Sequence, residues 1–245
     1  MWQFETTLLN VIRRTPDIKT FRLDVDGRKD VLYEAGQYLF VTISVDGGEA
    51  VHTFTISSSP TETREKGYLE FTKRITSSVY SKTLDAMKPG DRVKVKGAAG
   101  DLTLPSTEQR LCFLSGGIGI TPFRSMLRYV ADRRLDHDIV LLYGNRTWND
   151  IAFRDELGAI ASSNGSIRVE HVLSGPDLPS WWKGKTGRIT GEVMEELVPD
   201  YRERMFYASG PVSMVKALQE QLAAIGVPWS RVKHDYFPGY DDKKS

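Results

Sequence analysis

Thiols are nearly absent: the 245 residues contain one cysteine, Cys112. A single cysteine can form no internal disulfide and cannot ligate an iron–sulfur cluster. Charge of one sign is also lacking. The 33 Lys and Arg against 32 Asp and Glu leave a formal +1, so nothing points to nucleic acid or an acidic membrane surface as partner. No apolar run reaches membrane-spanning length, and the opening Met1-Trp2-Gln3-Phe4-Glu5-Thr6 lacks the apolar core of a secretion signal. The expectation is a soluble cytoplasmic protein. His52, His137, His171 and His234 lie too far apart for a local metal motif, so no metal is expected. A G-x-S-x-G elbow is missing. Gly184-Lys185-Thr186 resembles the end of a P-loop, but Pro179 stands where the upstream glycine belongs and no strand leads in.

What is present is organised around Leu111-Cys112-Phe113-Leu114-Ser115-Gly116-Gly117-Ile118-Gly119-Ile120-Thr121-Pro122-Phe123. The first four residues form a short apolar run, as a buried parallel strand does. Three glycines then allow a tight turn and close approach of a ligand to the backbone. Thr121 suits a helix cap, and Pro122 suits the first turn, where its missing N–H has no partner to lose. A helix starting there aims free N–H groups and its positive dipole end outward, which makes an anion site. The alternative is a plain strand–turn–helix connection. The strict G-x-G-x-x-G pattern is not met, because Pro122 replaces its third glycine.

Upstream, short strands are predicted over 4–12, 18–25, 38–45, 51–57, 68–75 and 92–96, with one helix over 80–87. Six strands at this spacing predict a small antiparallel barrel. Within it, His52-Thr53-Phe54-Thr55-Ile56-Ser57-Ser58-Ser59-Pro60 is a strand rich in hydroxyls. It suits hydrogen bonding to a polar aromatic ligand, or else an exposed edge. Lys73-Arg74-Ile75-Thr76-Ser77-Ser78-Val79-Tyr80-Ser81 places cations and hydroxyls before a helix, which suits a phosphate, or else an ordinary capped helix. Gly97-Ala98-Ala99-Gly100-Asp101-Leu102 is a loop of small residues that closes the barrel, or else a plain connection.

From about residue 106 strands and helices alternate. Strands are predicted over 138–143, 167–173, 204–208 and 232–237, and helices over 150–160, 190–197 and 212–225. That pattern predicts a doubly wound parallel sheet. The fold class is therefore two domains, residues 1–105 as an antiparallel β-barrel and 106–245 as an α/β doubly wound sheet. Ala208-Ser209-Gly210-Pro211 repeats the strand–Gly–Pro–helix device, so two helix N-termini are expected to face one crevice. After the second strand of the sheet comes Tyr143-Gly144-Asn145-Arg146-Thr147, with no acid before Asp150. Arg146 leans the site toward a 2′-phosphate. Trp181-Trp182 reads as a packed loop.

These stretches together resemble the ferredoxin–NADP reductase superfamily over essentially the whole chain. His52-Thr53-Phe54-Thr55-Ile56-Ser57 is similar to its R-x-Y-[ST]-x-S flavin motif, and Ser78-Val79-Tyr80-Ser81 to its second phosphate loop. Lys88-Pro89-Gly90-Asp91 and Gly97-Ala98-Ala99-Gly100 match the stretches that close the barrel. Gly116-Gly117-Ile118-Gly119-Ile120-Thr121-Pro122 is similar to the nicotinamide nucleotide loop, and Ser209-Gly210-Pro211 with Met214 to C-G-P-x-x-M. The resemblance implies an FAD-binding barrel followed by a domain for NADP or NAD. It implies that Phe54, Thr55 and Ser57 hold the isoalloxazine and ribityl part, with Thr53 and Ile56 of the same motif also binding the cofactor. His52 and Ser81 would face the FAD phosphates, with Ser78 and Val79 of the same loop also binding the cofactor. Gly116, Gly117, Gly119, Thr121 and Pro122 would receive the nicotinamide nucleotide, and Gly210, Pro211 and Met214 its ribose and pyrophosphate. Arg146 and Arg188 are candidates for an NADP phosphate, and Thr55, Ser209 and Tyr240 for the place of reaction.

Three departures stand out. His52 replaces the motif arginine, Phe54 its tyrosine and Ser209 its cysteine. The implied activity is hydride transfer from NAD(P)H to FAD, the two rings stacked. Electrons would then pass to a separate acceptor, such as a ferredoxin, a flavodoxin or another redox partner. The alternatives are a flavin reductase that uses flavin as substrate, and a non-catalytic module that senses flavin or nucleotide.

Overall fold

The computed structural model describes residues 1–237. By contacts the chain divides into two compact units. One comprises residues 1–104 and 124–133, the other residues 105–123 and 134–245.

The first unit is an antiparallel sheet of six strands: β1 (Trp2–Arg13), β2 (Ile18–Asp24), β3 (Tyr38–Val45), β4 (Gly48–Thr55), β5 (Tyr68–Arg74) and β6 (Arg92–Ala99). Their order is β4-β3-β6-β1-β2-β5. An antiparallel bridge between Ile56 and Phe71 brings the end of β4 to β5, so the sheet curls back on itself. Alternation explains the register: in β6, Val93 and Val95 are buried while Arg92, Lys94 and Lys96 are exposed. The core collects Trp2, Phe21, Leu39, Val41, Ile56 and Phe71, with Phe21 and Phe71 stacked at 5.2 Å.

Two helices interrupt the strands. Helix α1 (Pro60–Lys66) starts with a capping box: Ser59 Oγ accepts the Glu62 N–H, and Glu62 accepts the Ser59 N–H. It stops at Gly67, whose φ of +68° suits glycine. No helix is predicted here from the sequence, although Ser59-Pro60-Thr61-Glu62 carries the cap signal. Helix α2 (Val79–Ala86) is capped by Ser78, whose Oγ accepts the Ser81 N–H.

The second unit holds six parallel strands: β7 (Arg110–Gly116), β8 (Asp138–Asn145), β9 (Ile167–Leu173), β10 (Lys185–Thr186), β11 (Met205–Pro211) and β12 (Val232–Phe237). Their order is β10-β9-β8-β7-β11-β12. Winding thus reverses between β7 and β11, the place where such sheets offer a crevice beyond their carboxyl ends. Strand β7 is apolar from Leu111 to Leu114 because it is buried on both faces. Helices α4 (Arg154–Ser163), α5 (Gly191–Leu197) and α6 (Val212–Ala224) belong to this unit, and α3 (Thr121–Arg133) starts in it, its residues 124–133 counting with the first. On one face Cys112, Leu114, Leu142 and Phe206 pack on Met194, Val215, Leu218 and Leu222. On the other, Phe113 stacks on Phe123 at 4.6 Å. Burial pushes the Cys112 thiol up to about 12, which removes it from thiolate chemistry. Among the described residues no helix is long and apolar enough to cross a membrane.

Candidate functional site

In the second unit the two Gly-containing strand ends lie side by side, Ser115 paired with Ser209 in the ladder of β7 and β11. After β7 the chain makes a 3-10 turn (Gly117–Ile120), with Gly117 at φ +52°. Helix α3 begins only then. Thr121 is its first residue, and its hydroxyl donates back to the Ile118 carbonyl at 3.3 Å. It does not accept a helical N–H, as a capping threonine would; the 3-10 turn supplies the lead-in instead. Gly119 is required by close approach. A β-carbon there would run into the main chain of Ser209 and Gly210, 2.6 Å from the Gly210 Cα. Tyr143 donates to the Gly117 carbonyl at 2.8 Å and pins the turn from β8.

Met214, in the first turn of α6, lies against both Gly116 and Gly210. Gly116, Gly117, Gly119, Thr121, Ser209, Gly210, Pro211 and Met214 are thus brought together at the switch between β7 and β11. The side-chain oxygens of Ser115 and Ser209 and both amide atoms of Asn145 are buried. They make no hydrogen bond among the described residues. Unmatched polar atoms of this kind cost about 1–3 kcal/mol each, and all three lie near the carboxyl ends of adjacent strands. A polar ligand fits such a place. Arg146 and Arg188 are exposed. Trp181 meets Trp148 and Trp182 edge to face, at 5.0 and 6.3 Å, and Trp148 and Trp182 are tilted at 5.7 Å. The His171 ring meets Trp148 edge to face at 6.0 Å; burial, then the Arg154 charge, lowers its pKa to about 4. Lys185-Thr186 form the two-residue edge strand β10 rather than a phosphate loop.

In the first unit His52 and Thr53 are exposed on β4, whereas Phe54, Thr55, Ile56 and Ser57 are buried. The Phe54 ring belongs to the core, 4.8 Å from Phe71 and 6.1 Å from Tyr80. The His52 ring lies 4.0 Å from that of Tyr80. Partial desolvation of the ring against its neighbours, then the charge of Lys73, lowers its pKa, which favours the neutral imidazole. Lys73 itself is buried and lowered to about 8. A cation so held is poorly solvated, and an anion beside it would restore the charged form. Val79 opens α2 exposed, but Ser81 is buried and its Oγ accepts the Thr76 N–H at 2.8 Å. The hydroxyl therefore shapes the loop from within. Ser57 Oγ shares a hydrogen with Thr72 at 2.9 Å. Lys73 Nζ donates to the Arg74 carbonyl at 3.0 Å, so the first unit holds a buried lysine, an exposed histidine and the Ser78-capped start of α2. Sequence reasoning passed over Asn145, whose signal was a polar residue closing an otherwise apolar strand. Tyr240 lies outside the described residues.

Two family models match: an oxidoreductase FAD-binding domain over residues 5–104, and an oxidoreductase NAD-binding domain over residues 113–220. The chain is 30% identical over 253 residues to ferredoxin–NADP reductase B of Sorangium cellulosum, covering 97% of this chain and 98% of that one. It is 29% identical over 232 residues to the glycine betaine monooxygenase reductase subunit of Chromohalobacter salexigens, covering 94% of this chain and 62% of the other. Among solved structures, a ferredoxin NADP+ reductase from Neisseria gonorrhoeae with bound FAD and NADP has the same fold. Its TM-score is 0.80 at 22% identity, over 96% of this chain and 98% of that one.

Proposed function

Because the chain belongs to the ferredoxin–NADP reductase superfamily, we propose that it takes electrons from NAD(P)H onto FAD and hands them to a separate redox acceptor. The chemistry supplied by the bound pair is hydride transfer from nicotinamide to flavin, followed by release of electrons singly or in pairs. The chain's residues bind and orient. Residues 1–105 act as the FAD domain: Thr55 and Ser57 hold the ring end, while His52, Lys73 and the start of α2 take the phosphates. Residues 106–245 act as the nicotinamide nucleotide domain, through Gly116, Gly117, Gly119, Thr121, Gly210, Pro211 and Met214. Ser209 stands in the sequence where the family has cysteine, beside the place of reaction. The observation that carries this reading is the set of buried, unmatched side chains of Ser115, Ser209 and Asn145, near the carboxyl ends of β7, β11 and β8 where the parallel sheet reverses.

The acceptor is a ferredoxin, a flavodoxin or an oxygenase component, met in the cytoplasm. Exposed Arg146 and Arg188 favour NADPH. The test is direct: purified protein loaded with FAD is mixed anaerobically with NADPH or NADH. Bleaching of the flavin by at least one supports the assignment.

A second reading has its own observation. His52, neutral and exposed, replaces an arginine that would fork onto phosphate. A weakly held flavin is then exchanged as a substrate. Colourless protein that oxidises NAD(P)H only when flavin is added favours this reading.

A further inference from the structure

Two buried carboxylates of the first unit, Glu62 and Glu70, meet one buried guanidinium, Arg124; their exposures are 4%, 0% and 3%. Arg124 forks onto Glu62, Nη1 to Oε2 at 2.6 Å and Nη2 to Oε1 at 3.0 Å. The same Nη1 donates to the main-chain carbonyl of Ser57 at 2.7 Å. Glu70 Oε2 lies 3.5 Å from it, while Glu70 Oε1 takes Arg22 at 2.7 and 2.9 Å. One residue on, Ser125 Oγ donates to the Ser58 carbonyl at 2.7 Å, which the Tyr33 hydroxyl also reaches at 3.0 Å. Burial alone would raise the Glu62 carboxyl. The Arg124 charge and the Ser59 N–H outweigh it and hold Glu62 below the usual carboxylate range.

Taking three charges out of water costs several kcal/mol each, and apolar side chains of similar volume often hold a fold as well. Stability is therefore a poor account of the cluster. What it fixes is main chain: the carbonyls of Ser57 and Ser58, two and three residues past Thr55. We propose that Arg124 is a positioning residue for the flavin ring, and that with Glu62 it sets the electric field there. This rests on the FAD reading above.

The charges give the signs. Neutralising Glu62 leaves an excess of positive charge, which favours the electron-rich reduced ring and raises its midpoint potential. Neutralising Arg124 leaves an excess of negative charge and lowers it. A pair that served only the fold would not move the potential in opposite directions. The test uses the full chain loaded with FAD, in the variants Glu62→Gln, Arg124→Gln, Arg124→Lys and Ser125→Ala. FAD affinity and midpoint potential are measured for each. Opposite shifts are expected for the first two. Arg124→Lys should keep a potential near wild type but bind FAD roughly tenfold more weakly, because lysine keeps the charge and loses the fork. Variants that bind FAD as wild type does with an unmoved potential, or that shift it one way together, overturn the inference. If the two neutralised variants do not fold, Arg124→Lys and Ser125→Ala decide: weaker FAD binding in both supports it, unchanged affinity in both overturns it. Wild-type protein that takes up no FAD overturns the function reading itself, and this inference with it.

Discussion

Met214 lies over the Cα of Gly116, its sulfur standing where a β-carbon at that position would have to go. Gly119 has a different neighbour, the main chain of Ser209 and Gly210. The difference predicts unequal costs. In Gly116→Ala the far end of a flexible side chain gives way, and the loss is under about 1 kcal/mol. In Gly119→Ala two backbones must separate, and the loss is about 2 kcal/mol or more. Urea unfolding of the two variants compares them; equal losses would show that the turn does not lie against β11.

Arg204 staples the start of the parallel sheet. It donates to Asp200 at 2.8 Å, to the Leu111 carbonyl at 3.1 Å and to Asp138 Oδ2 at 2.9 Å, and is itself buried. Arg204→Met is expected to cost about 3 kcal/mol, since one side chain serves three partners. Arg204→Lys should cost less, retaining the charge without the planar fork. Thermal unfolding gives the order; indifference to both substitutions would contradict it.

Stability should fall in acid because of His171. Burial, then Arg154, lowers it to about 4 in the fold, against about 6.5 when unfolded. Between these values the unfolded chain holds a proton that the native one refuses. The contribution is complete above about pH 6.5 and is lost as pH falls toward 4, with a slope of at most about 1.4 kcal/mol per unit. His171→Phe should flatten that part of the curve. A curve unchanged by the substitution would place the acid response elsewhere.

How far these features could be read in advance varied with how local their cause is. Alternation placed β2 within a residue, because its two faces differ in burial, whereas β5, buried from Tyr68 to Lys73, was placed by the turn residues around it. Strand β7 and its glycines were legible since burial on both faces needs an unbroken apolar run. Helix α1 escaped despite its cap, because seven residues with three buried polar ones give no apolar stripe. The predicted helix over 150–160 splits into a 3-10 turn (Trp148–Asp150) and α4, because Phe153 takes a left-handed φ of +60°. No local pattern signals that. The Arg124 cluster was hidden for another reason. Its partners lie 62 and 67 residues away in sequence, and an arginine on an amphipathic helix reads as solvated until its neighbours are known.

Phosphate chemistry predicts how FAD affinity responds to charge. The phosphate favours protonated Lys73, whose pKa without ligand is about 8. Affinity should therefore be highest below pH 8 and decline as pH rises through it, and Lys73→Met should abolish the decline. His52→Arg should tighten FAD roughly tenfold by restoring a charged fork. Fluorescence titration between pH 6.5 and 9.5 measures both, and a flat profile in the wild type would remove Lys73 from the phosphate site.

The central claim is electron transfer from a nicotinamide nucleotide to a flavin held by this chain. Anaerobic stopped-flow absorbance of the FAD-loaded protein, mixed in parallel with NADPH and NADH, tests it most directly. Rapid bleaching of the flavin band by at least one nucleotide is expected; a flavin that stays oxidised with both would rule out hydride transfer in this chain.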